Sequence, residues 1–392
     1  MKIGLERSKS KIYDRLVTEL ARGFQGLGHE TAFLNPDAIT SATDLLLALH
    51  GCDWVVITNS SGILSLETPD NFLFEVIPPK VAFLHHDAPF NRNDLAHIRK
   101  KLAGYQRIQS KSIHFSIEKA DENDLNGLGI SCYPITHINS LGDLPDPPAA
   151  PWTRDLAFIG HAMPPINGYI SYETDWDRDY FACYQARIAR LDHRIKADFE
   201  RLHQALPAPI DDDTERFARK AQFIQHVNAY SLFQRGALLQ CITQHGLHIY
   251  GGDPSWLHGR ECTHFMPGAN IEYHEPVFDV AAIGEIFAGT RINLNITSLQ
   301  FDTGVINRVL DCAASGGFML TDTKEQLREI TSVADDIMFA TPGEMLEKIE
   351  FYLDPANDGR RREITRALAE DLKRNCSLES TLSYMLEKME QH

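Results

Sequence analysis

The sequence predicts an α/β protein of two doubly wound, parallel-sheet domains facing across a cleft, and three observations predict it. Short apolar strands alternate with helical patterns through the first third of the chain, the rhythm of parallel βαβ units. The stretch from Leu141 to Trp152, LGDLPDPPAAPW, holds four prolines in twelve residues, so it cannot carry a helix and reads as a semi-rigid linker. Beyond it the α/β alternation returns. The division that follows is an amino-terminal domain over 1–145, a carboxy-terminal domain over 146–375 with a helical insertion at about 170–240, and a terminal helix over 376–392. Open sheets of this kind bind ligands on the loops that follow their strands, so those loops line the expected cleft.

Taken in order, Lys2 to Leu5 reads as a strand and Ile12 to Leu27 as an amphipathic helix closed by Gly28. Thr31 to Leu34 is a second strand, and Ser41 to Leu49 a helix capped by its serine. WVVIT (Trp54 to Thr58) and KVAFL (Lys80 to Leu84) are short, β-branched or aromatic runs that end in polar loops. After the linker, DLAFI (Asp155 to Ile159) opens the second domain and is followed by Gly160. Asp177 to Leu206 and Thr214 to Gln240 have helical periodicity and form the insertion. LHIY (247–250), RINLNI (291–296) and FML (318–320) supply further strands, with a helix from Gly304 to Ser315 between the last two. Asp336 to Phe339 reads as a short strand, PGEMLEKIEFYL as a helix with proline in its first turn, and the remainder as polar amphipathic helix.

Composition bounds the function classes. Hydrophobic residues make up 43% and charged residues 23% of 392, an ordinary globular balance. The 38 basic and 54 acidic residues leave a formal charge of −16, which repels phosphate backbones at long range and argues against nucleic acid as the main partner. Screening still permits a local basic pocket for one phosphorylated small molecule. Seven scattered cysteines without a C-x-x-C pair indicate neither a disulfide framework nor a zinc knuckle, and fit a cytoplasmic setting. The first residues, MKIGLERSKSKIYDRL, lack the apolar centre of a signal peptide, and no run approaches the length of a membrane span.

The segment from Asn293 to Asp322 carries the most chemistry. A strand ends near Asn295, a polar loop follows, and the helix expected from Gly304 turns its free N–H groups toward the cleft, a ready anion site. Arg308 sits one turn inside and Asp311 three residues further, on the same face. A guanidinium there suits a diphosphate and a carboxylate suits ribose hydroxyls, while a plain Arg–Asp ion pair is the alternative. Asn293 and Asn295 share one strand face, where their amides serve either a sugar or backbone groups. Gly160 and the pair Gly251-Gly252 are strand-end glycines at which a nucleotide approaches the backbone, or simply turns. The loop Asn59 to Gly62 matches no nucleophile or phosphate motif and reads as a polar turn. His85, His86 and Asp87 follow the strand KVAFL, where one of them would serve as base on an acceptor hydroxyl, His86 by its ordinary pKa near about 6.5. Neighbouring residues of an extended segment point to opposite faces, which argues against a metal site there.

The run GVINRVLDCAASGGFMLTD (304–322) resembles the R-x-F-E-x-x-A-x-G-G-F-L-L-T-D signature of CgeB-like proteins, a spore-maturation, glycosyltransferase-like group with the two-Rossmann GT-B fold. DIMFATPGEMLEKIEFYLDP from Asp336 is similar to that group's closing strand and helix, and FLHHDAP (83–89) to its D-x-P loop. The resemblance implies a nucleotide-sugar donor held by the carboxy-terminal domain and an acceptor, whether glycan, protein or small molecule, against the amino-terminal one. It favours Asp87 over His86 as base. Related retaining enzymes place a Glu-x7-Glu pair at this helix; Asp311 takes the second place in shortened form and Thr303 stands at the first, a departure from the pattern. Such enzymes use helix dipoles and basic side chains in place of a metal, so metal-independent sugar transfer without a cofactor is expected. An epimerase or hydrolase on the same fold, or a non-catalytic nucleotide-sugar-binding or assembly protein, are the alternatives.

Overall fold

The computed structural model describes residues 1–8, 10–58, 73–90, 94–139, 152–162, 175–205, 210–251 and 270–392. The chain opens with β1 (Lys2–Glu6) and α1 (Lys11–Gly26), whose Leu16, Val17, Leu20, Ala21 and Phe24 form one buried stripe at helical spacing. Gly28, at φ +83°, turns the chain into β2 (Glu30–Leu34). In α2 (Ala42–Ala48), the Ser41 side chain accepts from the Asp44 N–H, as its capping position requires. Then come β3 (Trp54–Thr58), β4 (Lys80–His85), α3 (Leu95–Arg107), β5 (Ser112–Ser116), α4 (Lys119–Gly127) and β6 (Cys132–Pro134). The strands form one parallel sheet in the order β2-β1-β3-β4-β5-β6. A parallel sheet is covered on both faces, and WVVIT is buried at every position of β3.

The second sheet is also parallel. It is built from β7 (Arg154–Ile159), β8 (Leu247–Tyr250), β9 (Ile271–His274), β10 (Thr290–Asn295), β11 (Met319–Asp322) and β12 (Met338–Phe339), in the order β12-β11-β10-β7-β8-β9. Between β7 and β8 run α5 (Asp175–Ala189), α6 (Ile195–Gln204), α7 (Asp213–Asn228) and α8 (Ser231–Gln240). Next are α9 (Val280–Ala288), α10 (Asn307–Ala314), α11 (Glu325–Ile330), α12 (Ala334–Ile337) and α13 (Pro342–Leu353), the last capped by Thr341 with Pro342 in its first turn. The chain ends in α14 (Asp358–Asn375) and α15 (Leu378–Gln391).

Two compact units result: 1–142 with 203–225 and 376–392, and 143–202 with 226–375. This corrects the expected division in two places. The insertion was expected whole within the second domain, yet residues 203–225 group with the first. Phe217, Ala218 and Ala221 of α7 enter the core containing Phe83, Phe90 and Tyr105, and Arg99 forks onto Glu215 at 2.5 and 2.7 Å. The terminal helix α15 likewise returns to the first unit. It buries Leu382, Met385, Leu386 and Met389, Thr381 reaches Thr136 at 3.3 Å, and His392 lies beside the Trp54 ring.

Two boundaries also move. The helix expected from Gly304 begins at Asn307, and Asp336 and Ile337 close α12 before the strand starts at Met338. Among the described residues no helix is long and apolar enough to cross a membrane. The described cysteines, Cys52, Cys132, Cys183, Cys241, Cys312 and Cys376, are free thiols. The linker over 141–151 and the loop Asn59 to Gly62 lie outside the described residues.

Candidate functional site

In the second sheet the strand order reverses between β7 and β10, because the chain builds outward from β7 through β8 to β9 and then crosses back to β10. Loops leaving neighbouring strands there part in opposite directions and open a crevice at the carboxyl ends. Gly160 follows β7 and Gly251 follows β8, and the two backbones are in contact. The Gly160 N–H donates to Tyr250 O at 2.9 Å, and the Gly251 N–H to His274 O at 3.2 Å. Both adopt positive φ, +147° and +128°. A Cβ on Gly251 would stand 2.8 Å from Gly160 O, and one on Gly160 would stand 2.8 Å from Nη2 of Arg308. Glycine is needed at both positions for backbone conformation and for space.

Arg308 belongs to the first turn of α10, which starts at an N-cap, Ile306, whose side chain makes no capping bond. The helix therefore presents amide N–H groups and the positive end of its dipole. The guanidinium, part-buried, donates to Asn295 Oδ1 at 2.5 Å and lies 5.3 Å above the Phe158 ring. Asn295 is held in turn by donating to Thr321 Oγ1 at 2.8 Å. A second guanidinium, which the sequence reading missed, completes the cluster. Arg235 of α8 donates to Ile296 O at 3.0 Å and to His161 O at 3.2 Å, binding the loops after β10 and β7. Its one sequence signal is that it is the lone charge in SLFQRGALLQ. Burial first, and then the positive charge of Arg235, push the Arg308 pKa down to about 9, against the pull of Asp311 and Asp322. It remains a cation at neutral pH, in a place that favours an anion.

Beneath this lies a buried ionic scaffold. Asp322, at the end of β11, accepts from the Thr297 N–H and hydroxyl, both at 2.8 Å, and pairs with Lys324 at 3.0 Å and Arg187 at 3.6 Å. Burial pushes its carboxyl up, but these partners outweigh that and hold it below the usual carboxylate value. Asp302 receives the first two N–H groups of α6, from Ile195 and Lys196, at 3.0 and 2.9 Å. The loop 296–304 is thereby tied down at both ends.

The remaining residues expected at the donor site divide. Asp311 is buried beside Arg308, with Asn307 Nδ2 at 3.4 Å from its carboxylate. Gly304 is buried in the loop ahead of α10, outside the helix it was expected to start. Asn293 is a correction: its amide donates to Phe287 O and Phe318 O at 2.9 and 3.1 Å, so it serves the backbone and is withdrawn from the site. Thr303, at the first place of the carboxylate pair, is buried, and the neighbouring Asp302 is committed to α6. Gly252 lies outside the described residues.

In the first unit, β4 ends at His85, and the two histidines do point to opposite faces. His85 packs among Phe83, Tyr105 and His114, its Nε2 at 2.9 Å from His114 Nδ1. His86 lies against the His137 ring at 4.6 Å between centroids. Both are buried, and burial, assisted by the neighbouring imidazoles, lowers each well below the ordinary histidine pKa. This corrects the expectation of an imidazole base at its ordinary pKa: both rings are buried in the core, where the charged form is disfavoured. Asp87 differs. It is part-exposed and accepts from the Tyr13 hydroxyl, whose own pKa burial and the Asp87 charge raise.

Residues 234–387 match a protein-family model described as glycosyl transferase-like. Solved structures with the same architecture include T4 phage β-glucosyltransferase, at 12% identity over 99% of both chains with a TM-score of 0.55. An α-glucosyltransferase in complex with UDP and DNA is similar at 11% identity over 99% of both chains, TM-score 0.55. Sucrose-phosphate synthase from Thermosynechococcus elongatus is similar at 10% identity over 100% of this chain and 98% of its own, TM-score 0.57. No curated protein matches by sequence. At these identities the likeness is one of fold, and the fold is GT-B: two parallel-sheet units with flanking helices.

Proposed function

We propose that this chain is a glycosyltransferase that moves a sugar from a nucleoside-diphosphate donor to an acceptor hydroxyl. The observation that carries the reading is the convergence of two guanidiniums, two glycine backbones and an uncapped helix start at the strand-order reversal of the second sheet. The family-model match over 234–387, which includes Arg235 and Arg308, supports it. So does the resemblance of 304–322 to the CgeB-like signature, and on that ground we place the chain beside those proteins.

Transfer breaks the bond between the anomeric carbon and the terminal phosphate oxygen and forms one to the acceptor oxygen. The leaving diphosphate gains negative charge as that bond opens. Arg308, Arg235 and the N–H groups of α10 meet that charge with fixed positive ends, so they stabilise the transition state more than the ground state. These cations do the work that a divalent ion does in other transferases, and the donor step is proposed to run without one. Gly160 and Gly251 let the phosphates reach the backbone, and Asp311 is assigned to the ribose side. The acceptor proton goes to Asp87, a part-exposed carboxylate with a positioning partner, Tyr13. The T4 phage enzyme uses UDP-glucose, which makes UDP-sugars the first donors to test. The chain's charge of −16 favours a glycan, protein or small-molecule acceptor over DNA.

A thermal-shift panel of nucleotide sugars, followed by measurement of nucleotide release in excess chelator, tests the reading. Stabilisation by one nucleotide class and chelator-resistant release of its diphosphate are expected. Absence of binding across the panel would refute it. Binding without release under any acceptor would point instead to a nucleotide-sugar-binding protein, the reading that Thr303 in place of the first carboxylate favours.

A further inference from the structure

On the second sheet, β9 is the edge strand, paired along one side with β8 in the register His248↔Glu272 and Tyr250↔His274. Paired positions of parallel strands, and positions two apart on one strand, share a face. His248, Glu272 and His274 therefore project together. His248 Nδ1 lies 3.0 Å from His274 Nε2, and the Glu272 carboxylate oxygens lie 3.6 and 3.5 Å from the two ring nitrogens. The imidazoles are partly accessible and the carboxylate mostly exposed. Among the described residues this is the group of three whose ligating atoms come within metal-binding reach of one another.

We propose that these three side chains bind a divalent transition-metal ion of the zinc class. Ligand atoms about 2.0–2.1 Å from a tetrahedral ion stand about 3.3 Å from one another. The two ring nitrogens stand 3.0 Å apart, each has one Glu272 oxygen at 3.5 or 3.6 Å, and with a single oxygen as ligand the three donor atoms lie within 4.8 Å of one another, so modest side-chain rotation brings them onto one ion. Two neutral imidazoles and one carboxylate form a donor set that suits zinc and disfavours magnesium or calcium, which prefer all-oxygen shells. In the metal-free arrangement one imidazole donates a ring proton to the other across 3.0 Å; on binding that proton shifts to the same ring's other nitrogen, both facing nitrogens become ligands, and one coordination position is left for water. The Tyr250 ring, stacked 4.3 Å from His274, limits how that imidazole turns. The ion would bridge β8 to the edge strand and fix the strand end whose His274 carbonyl receives the Gly251 N–H. The three ligands are not among the residues proposed for the diphosphate, although His274 O accepts from Gly251, and the proposal does not rest on the donor reading.

The test is calorimetric titration of the chelator-stripped full chain with Zn2+, with Mg2+ as control, alongside thermal melting. One equivalent of Zn2+ per chain, a raised melting temperature and no response to Mg2+ are expected. Glu272→Gln should weaken Zn2+ binding by roughly tenfold or more, and His274→Ala should abolish the saturable phase. If His274→Ala does not fold, Glu272→Gln decides the matter, since its mostly exposed side chain is replaced by one of the same shape. No saturable Zn2+ binding, or an affinity unchanged by Glu272→Gln, would overturn the proposal.

Discussion

Burial first, and then the nearby positive charge of Arg235, bring the Arg308 pKa down to about 9 while the side chain stays tethered to Asn295. An anion beside them would offset both the burial of the Arg308 charge and its repulsion by Arg235, which is why the pair signals a ligand more strongly than either arginine alone. Arg308→Ala should weaken UDP binding by roughly 1.5–3 kcal/mol, or about 10- to 150-fold, the range for hydrogen bonds to charged groups. Calorimetry on the folded variant reads this, and an unchanged affinity would return Arg308 to a purely structural role. Gly251→Ala should also lower nucleotide affinity without touching a charge. The new Cβ would stand 2.8 Å from Gly160 O and press the two strand ends apart, on top of the strain at φ +128°. A crystal structure or titration of that variant showing neither displacement nor weakened binding would contradict the account.

At the scale of elements, the residues proposed for the donor depend on the loop 296–304, and that loop depends on Asp322. Asp322→Ala removes the acceptor of the Thr297 N–H and leaves Lys324 and Arg187 buried with less compensation, a loss of about 3–5 kcal/mol by precedent for broken buried pairs. Denaturant melts should show it, with nucleotide binding lost in parallel. The network also explains what the sequence could and could not convey. β3 and β4 were legible because strands buried on both faces need continuous apolar runs, and WVVIT and KVAFL are such runs. β5 was not legible, since SIHFS has serine and histidine at buried positions whose partners, His85 for His114 and Asp121 of α4 for Ser116, come from the fold. α3 hides behind its charges, with Lys101 buried and donating to Pro89 O. Arg308 and Gly160 were legible from their places after strands, whereas Arg235 reaches the site from an inserted helix whose docking no local pattern reveals. The pairing of Glu272 with two histidines was equally hidden, because it needs the register of an edge strand.

At the scale of the molecule, the two units carry different liabilities and, in the proposed reaction, different tasks. The first buries His114 and His137 in neutral form, with pKa values lowered by burial to about 3 and about 4. Between pH 6.5 and about 4 the unfolded chain binds protons at these sites and the folded chain does not. Stability is therefore fully present above about pH 6.5 and falls as the pH drops, by about 1.4 kcal/mol per pH unit for each such histidine. Denaturation followed from pH 7 to 4 should show that slope, and His137→Gln should remove one share of it. The division of tasks gives the sharper test. The residues proposed for the diphosphate all belong to the second unit, and Asp87, the proposed base, with its partner Tyr13 to the first. Asp87→Asn keeps the size of the side chain and a hydrogen-bond acceptor for Tyr13 but removes the basicity. Transfer at saturating donor should fall about 10²- to 10⁴-fold, the usual contribution of a positioned base, with UDP affinity unchanged. Arg308→Ala should give the converse pattern, with weakened donor binding. His86→Ala offers no such separation, because hollowing the core beneath the loop lowers stability and activity together. Full turnover in Asp87→Asn, in a variant that melts like the parent, would show that the acceptor proton leaves by another route.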